Sequence, residues 1–261
     1  MSDFDRNYAA ASRGVSADRA VVDAGLRAYM VRVYNYMATA VGFTGVVAWL
    51  TFQAAGGDAV RIVGGRIVGA TAFGQLIYSF PAVIVLFLAT LGLVWWIGSR
   101  IDRVSAGTAW MLFMVYAGLF GILMSSVFVQ FTMVSITRTF FISAAAFGAL
   151  SFYGYTTQRD LTPVRSFLIM GLFGLVLAIL VEFVLAAFGI RSSMLHFIIS
   201  AVGVLIFAGL TAADTQRIKE MYDAVDNSDI IGRKAVMGAL SLYLDFINLF
   251  TFLLQFVGDR R

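Results

Sequence analysis

The chain has no cysteine, two prolines, two lysines and one histidine in 261 residues. Without cysteine there is no disulfide, no thiolate nucleophile and no cysteine-based metal site. The single His196 excludes a multi-histidine zinc or haem centre built from this chain alone. Both lysines, Lys219 and Lys234, flank apolar runs. No lysine is therefore left inside a helical bundle to carry a retinal-type Schiff base. Charge is scarce as well. Only 13% of residues are Asp, Glu, Lys or Arg, about half the share of a soluble domain. The first twenty residues, MSDFDRNYAAASRGVSADRA, alternate in charge and lack the apolar core of a signal peptide.

What is present is apolar: 60% hydrophobic residues and a mean hydropathy of +0.87. A helix needs roughly 20 apolar residues to cross a bilayer. Seven stretches meet that length, at about 33–54, 79–98, 108–131, 139–156, 166–189, 196–215 and 236–257. The expected fold is all-α, a polytopic membrane protein with seven transmembrane helices and the bilayer as its first partner. Residues 1–28 read as a mobile cytosolic tail and 29–261 as one transmembrane domain. The connection at 55–78 is long and glycine-rich, and is expected to dip partly into the interface. Small residues at Ala144, Ala145, Gly148 and Ala149, and the pairs Gly118/Gly121 and Gly171/Gly174, allow close helix approach.

With a cytosolic N-terminus, only Arg61, Arg66, Arg138, Arg191, Arg260 and Arg261 of the 19 basic residues fall outside. The bias supports that orientation, although a C-terminal Arg-Arg would then lie outside unless the last segment re-enters. The net charge of +4 is spread over loops, and fits topology and anionic lipid rather than nucleic acid.

Against this background two acids stand out, Asp214 near the end of one apolar run and Asp245 in the middle of the next. A carboxylate in that position opposes membrane insertion by roughly 3 kcal/mol. The polar stretch YDAVDNSDIIG (222–232) makes the last two spans a hairpin. The sequence midpoint between the acids falls at about 229–230, so a symmetric turn puts both at one depth on neighbouring helices. Ser241 and Asn248 share a face with Asp245, and Thr211 lies one turn from Asp214. Two carboxylates meeting there compete for one proton and form a sparse, weak site for a hard cation such as Ca²⁺. Arg32, Arg100 and Arg103 stand at span ends. Each can latch an aspartate or snorkel to lipid phosphates. Glu182 is a third intramembrane acid, read either as lining a pathway or as snorkelling outward. His196 reads as interfacial. No cofactor is expected.

The stretches SAGTAWMLFMVYAGLFGILMSS (105–126), SFYGYTTQRDLT (151–162), FAGLTAADTQRIKEM (207–221) and GALSLYLDFINLF (238–250) resemble the Bax inhibitor-1 family, in its bacterial YccA-like branch. The resemblance implies seven helices with the last one central, and a location in the bacterial inner membrane. It also implies a paired-aspartate pH sensor at Asp214 and Asp245 in a pH-dependent calcium leak channel, with a second-span arginine, Arg100 or Arg103, as latch. Ala213 stands where that family often has tyrosine. Two other functions compete. A non-conducting regulator of a membrane-bound AAA protease is suggested by the charged N-terminal tail. An intramembrane aspartyl protease also uses two aspartates, but its GxGD signature is absent from AADT and YLDF, so the chain does not read as an enzyme.

Overall fold

The structure is a computed structural model that describes residues 3–63, 66–190 and 192–261, with side chains from Asp23 onward except at 66 and 187. Among these residues there are eight α-helices: α1 (Asp3–Ala54), α2 (Ala72–Ile77), α3 (Phe80–Arg100), α4 (Ala106–Gln130), α5 (Met133–Thr156), α6 (Thr162–Ala187), α7 (Ser193–Glu220) and α8 (Ser228–Val257). All but the short α2 are long and apolar enough to span a membrane, so the chain is a multi-pass, all-α membrane protein. Of the tail expected over 1–28, the side chains of 1–22 lie outside the described residues. Residues 23–28 continue α1.

Helix starts are set by polar caps rather than by hydropathy. Ser79, Ser105, Thr132, Ser192 and Asn227 each accept a backbone N–H three residues on, at the starts of α3, α4, α5, α7 and α8. Such a cap satisfies one of the orphan donors of the first turn. Because the caps precede the apolar runs, α5 begins at Met133 rather than 139 and α8 at Ser228 rather than 236. A Pro in the first turn opens α6, where no backbone donor is lost.

The 55–78 connection folds into a small antiparallel hairpin, with β1 (Arg61–Val63) paired to β2 (Arg66–Val68), followed by α2. Its turn at 64–65 lies outside the described residues. Gly69 after β2 has φ +76°, and an added Cβ would run into the Ala59 carbonyl, so only glycine closes this loop.

Burial orders the bundle. Only 6% of the α6 span is buried, against 67% of α8, the most enclosed of the seven. α8 packs against α1, α4, α5 and α7. Its Tyr243 is fully buried among Phe113, Tyr116 and Phe120 of α4. Thr44 donates to the Ala117 carbonyl, so the Tyr243 hydroxyl donates to Thr44 Oγ1 at 2.8 Å. This bond joins α1, α4 and α8.

The closest backbone approaches use glycines other than most of those expected. Gly148 and Gly174 face open space, whereas Gly121 meets Val47 of α1, Gly154 the Ala212 carbonyl of α7, and Gly238 the Ile218 side chain. α8 runs for 30 residues, about 45 Å, so it crosses the bundle rather than re-entering. The C-terminal segment then packs beside the α4–α5 turn, where Phe131 bridges Arg260.

Candidate functional site

The α7–α8 hairpin sets the site. Gly238 receives Ile218 and Gly203 receives the Phe252 ring. In this register Asp214 lies opposite Leu242, about one helical turn along the axis from Asp245. Both acids are buried, at 7% and 5% exposure, which places them inside the bundle and away from lipid. They do not hydrogen-bond to each other. Asp214 is taken by arginine instead. Arg165 Nε on α6 donates to Asp214 Oδ1 at 2.5 Å, and Arg217 Nε lies 3.7 Å from the same oxygen. Asp245 Oδ2 is buried with no hydrogen-bond partner. The charges facing Asp245 are Asp214 and Arg217 on α7 and Arg165 on α6.

The expected latch arginines are elsewhere. Arg32, Arg100 and Arg103 are exposed and have no carboxylate partner among the described residues. For Arg100 and Arg103 the reason is the docking of the α3–α4 loop. Arg233 of α8 donates to the Asp102 carbonyl, and Asp229 accepts the Ala106 amide at the start of α4. The loop is thereby fixed to the first turns of α8, some twelve residues or about 18 Å before Asp245.

The supporting polar residues also bond differently from expectation. Thr211 donates to the Phe207 carbonyl and Asn248 to the Leu244 carbonyl. This is the usual back-bonding of short polar side chains one turn down a helix. Ser241 receives Arg217 Nη2 at 3.2 Å, so it steadies the arginine rather than the acid.

Three residues missed in the sequence hold Arg165 in place. Gln216 accepts the Leu161 amide and donates to the Arg159 carbonyl, both at 2.8 Å. Lys219 donates to the Tyr155 carbonyl at the end of α5. The α5–α6 loop is thus clamped onto α7, and α6 starts with Arg165 facing Asp214. Asp160 closes the loop by accepting the Thr162 amide, and these Thr162 hydrogen bonds hold its carboxyl below the ordinary value of 3.8. On the other flank, Thr215 donates to the Thr211 carbonyl. Ser151 therefore donates to Thr215, and Tyr34 to Ser151, since each hydroxyl has one proton to give. The signal for Arg217 was legible, three residues after Asp214. Arg165 carries no such local signal, since it lies 49 residues from Asp214.

Among the described residues no group of three or more His, Asp or Glu side chains comes together to hold a metal. A hard cation at Asp214 and Asp245 would have two carboxylates and retained water, and only once the arginines withdrew. Glu182 and His196 sit at the other end of the bundle. Eighteen residues of α7, about 27 Å, separate His196 from Asp214. There His196 Nδ1 meets Glu182 Oε1 at 2.9 Å, and both line a crevice at that end of the bundle, away from the aspartate site.

Comparison with known proteins agrees with this architecture. The family model described as inhibitor of apoptosis-promoting Bax1 matches residues 26–261. The Escherichia coli inner membrane protein YbhL is 40% identical over 241 residues, covering 91% of this chain and 94% of its own. An uncharacterised protein of Rickettsia prowazekii is 41% identical over the full length of both chains. An uncharacterised membrane protein of Streptococcus pyogenes is 33% identical over 90% of this chain and 94% of its own. With the helices, the buried hairpin and the matched stretches taken together, the chain belongs to the Bax inhibitor-1 family.

Proposed function

We propose that the protein is a pH-sensitive cation leak of the bacterial inner membrane, passing Ca²⁺, with its N-terminus in the cytosol. The observation that carries the reading is the buried, partnerless Oδ2 of Asp245 beside an aspartate already held by two arginines. A buried carboxylate without a partner is costly, so this group binds a proton or accepts a cation. The arrangement reads as the closed form. Arg165 neutralises Asp214 and pins α6 to α7, while Asp245 carries the proton. As Asp245 loses that proton, a second negative charge appears in the hairpin. It competes for the same guanidinium groups and offers a passing cation two carboxylates.

Calcium entry into proteoliposomes, measured at several pH values, tests this. The expected result is flux that rises with pH in the native protein and loses its pH dependence in Asp245→Asn. Flux unaffected by that substitution overturns the reading.

A further inference from the structure

At the end of the bundle opposite Asp214, the chain's single histidine bridges two groups of opposite charge. His196, in the first turn of α7, places Nδ1 2.9 Å from Glu182 Oε1 of α6 and Nε2 2.9 Å from Arg260 Nη2. A guanidinium has only donors. Nε2 must therefore accept, which puts the ring proton on Nδ1 and directs it to Glu182. The geometry fits only a neutral imidazole. Among the described residues, Glu182 and Arg260 are the charged groups facing the ring, and Gln255 of α8 lines the same crevice. The imidazole is about one-third exposed, so protons reach it from the aqueous side.

Arg260 belongs to the last four residues, which fasten the outer loops of the bundle. Thr132 donates its amide to the Asp259 carbonyl, and Asp259 donates its own to Ser135 Oγ. Arg261 donates its amide to the Gln130 carbonyl and its guanidinium to Asp58. Among the described residues, the Arg260 guanidinium makes the hydrogen bond that ties this segment to α7.

We infer that His196 is a second proton-binding site, whose protonation releases Arg260 and loosens the C-terminal segment from α7. The imidazolium carries N–H on both nitrogens. Its Nδ1–H keeps Glu182, now as an ion pair, while its Nε2–H turns a hydrogen bond to Arg260 into a meeting of two donors with like charge. Between pH 8 and 5.5 histidine is the group at this end whose ordinary range is crossed. The site is independent of the Asp214–Asp245 reading, which can fail without touching it.

Amide hydrogen exchange of residues 258–261, in the full-length protein in lipid nanodiscs and corrected for intrinsic rates, tests the inference. Exchange is expected to quicken about five- to tenfold, the loss of roughly one hydrogen bond, as the pH falls from 8 to 5.5. A glutamine amide donates to Glu182 and accepts from Arg260 without titrating. His196→Gln should therefore hold the segment in its slow state at both pH values, and His196→Ala in its fast state at both. A flat native profile, or a pH response that survives in His196→Gln, overturns the proposal.

Discussion

Arg165 Nε donates to Asp214 Oδ1 at 2.5 Å, from the first turn of α6 to the last two turns of α7. This bond joins the least buried span of the bundle to the hairpin that carries both acids. The pair is largely screened from water, with side-chain exposures of 28% and 10%. A charge-assisted hydrogen bond in that setting is worth about 1.5–3 kcal/mol, reduced where Arg217 stands in for the missing partner. Arg165→Gln should lower stability in detergent by about 1–2 kcal/mol, read as a drop in thermal midpoint. It should also raise calcium flux at neutral pH. An unchanged flux would show that the bond is structural only.

The clamp behind the latch gives a separate prediction. Gln216 contributes two hydrogen bonds to the backbone of the α5–α6 loop, each worth about 1 kcal/mol. Gln216→Leu removes both and leaves Asp214 and Arg165 unaltered. It should speed amide exchange across 157–162 and reproduce part of the Arg165→Gln flux. Exchange that stays slow would mean Lys219 and the loop's own turn suffice.

Much of this was legible in the chain. Seven apolar runs gave the spans, and the lone charge in ALSLYLDFINLFTFLLQF identified Asp245. The hairpin itself was legible from the polar stretch 222–232, but its register was not: the sequence midpoint puts both acids at one depth, whereas the packing of Gly238 on Ile218 and Gly203 on Phe252 sets them about one helical turn apart. What hid was the identity of the latch. Arg165 lies 49 residues from Asp214, and the clamps that bring them together, from Gln216 and Lys219, are themselves long-range. Arg100 and Arg103 looked equivalent by hydropathy, but Arg233 and Asp229 fix their loop at the wrong height. Helix starts were misplaced for a related reason: capping is done by polar residues that a hydropathy window discards.

Helix approach makes a paired prediction. An added methyl at Gly154 runs into the Ala212 carbonyl, while one at Gly148 meets nothing within 4 Å. Gly154→Ala should destabilise by about 1–3 kcal/mol through forced separation of α5 and α7. Gly148→Ala should stay within about 0.5 kcal/mol. Thermal unfolding of the two variants side by side checks the contrast, and equal effects would contradict the packing described.

Outside the membrane, Asp160 gives a signed pH effect. Its folded-state value is held below the ordinary 3.8 by hydrogen bonds from Thr162. Its contribution is therefore present above 3.8 and is lost as the pH falls through the lower, folded value. Carboxyl chemical shifts of Asp160 should titrate below those of an unstructured aspartate. In Thr162→Ala, which keeps the backbone N–H but loses the hydroxyl, the midpoint should move upward. A midpoint already at the ordinary value in the native protein would contradict the turn.

The central claim is that Asp245 binds a proton whose release is coupled to the arginine-held Asp214. Infrared titration of the carboxyl stretch in native protein, Asp245→Asn and Arg165→Gln measures this most directly. The account predicts a carboxyl band that gives way to carboxylate as pH rises, is missing in Asp245→Asn, and titrates at a different pH in Arg165→Gln. A band that persists in Asp245→Asn, or a midpoint untouched by the loss of Arg165, would contradict it.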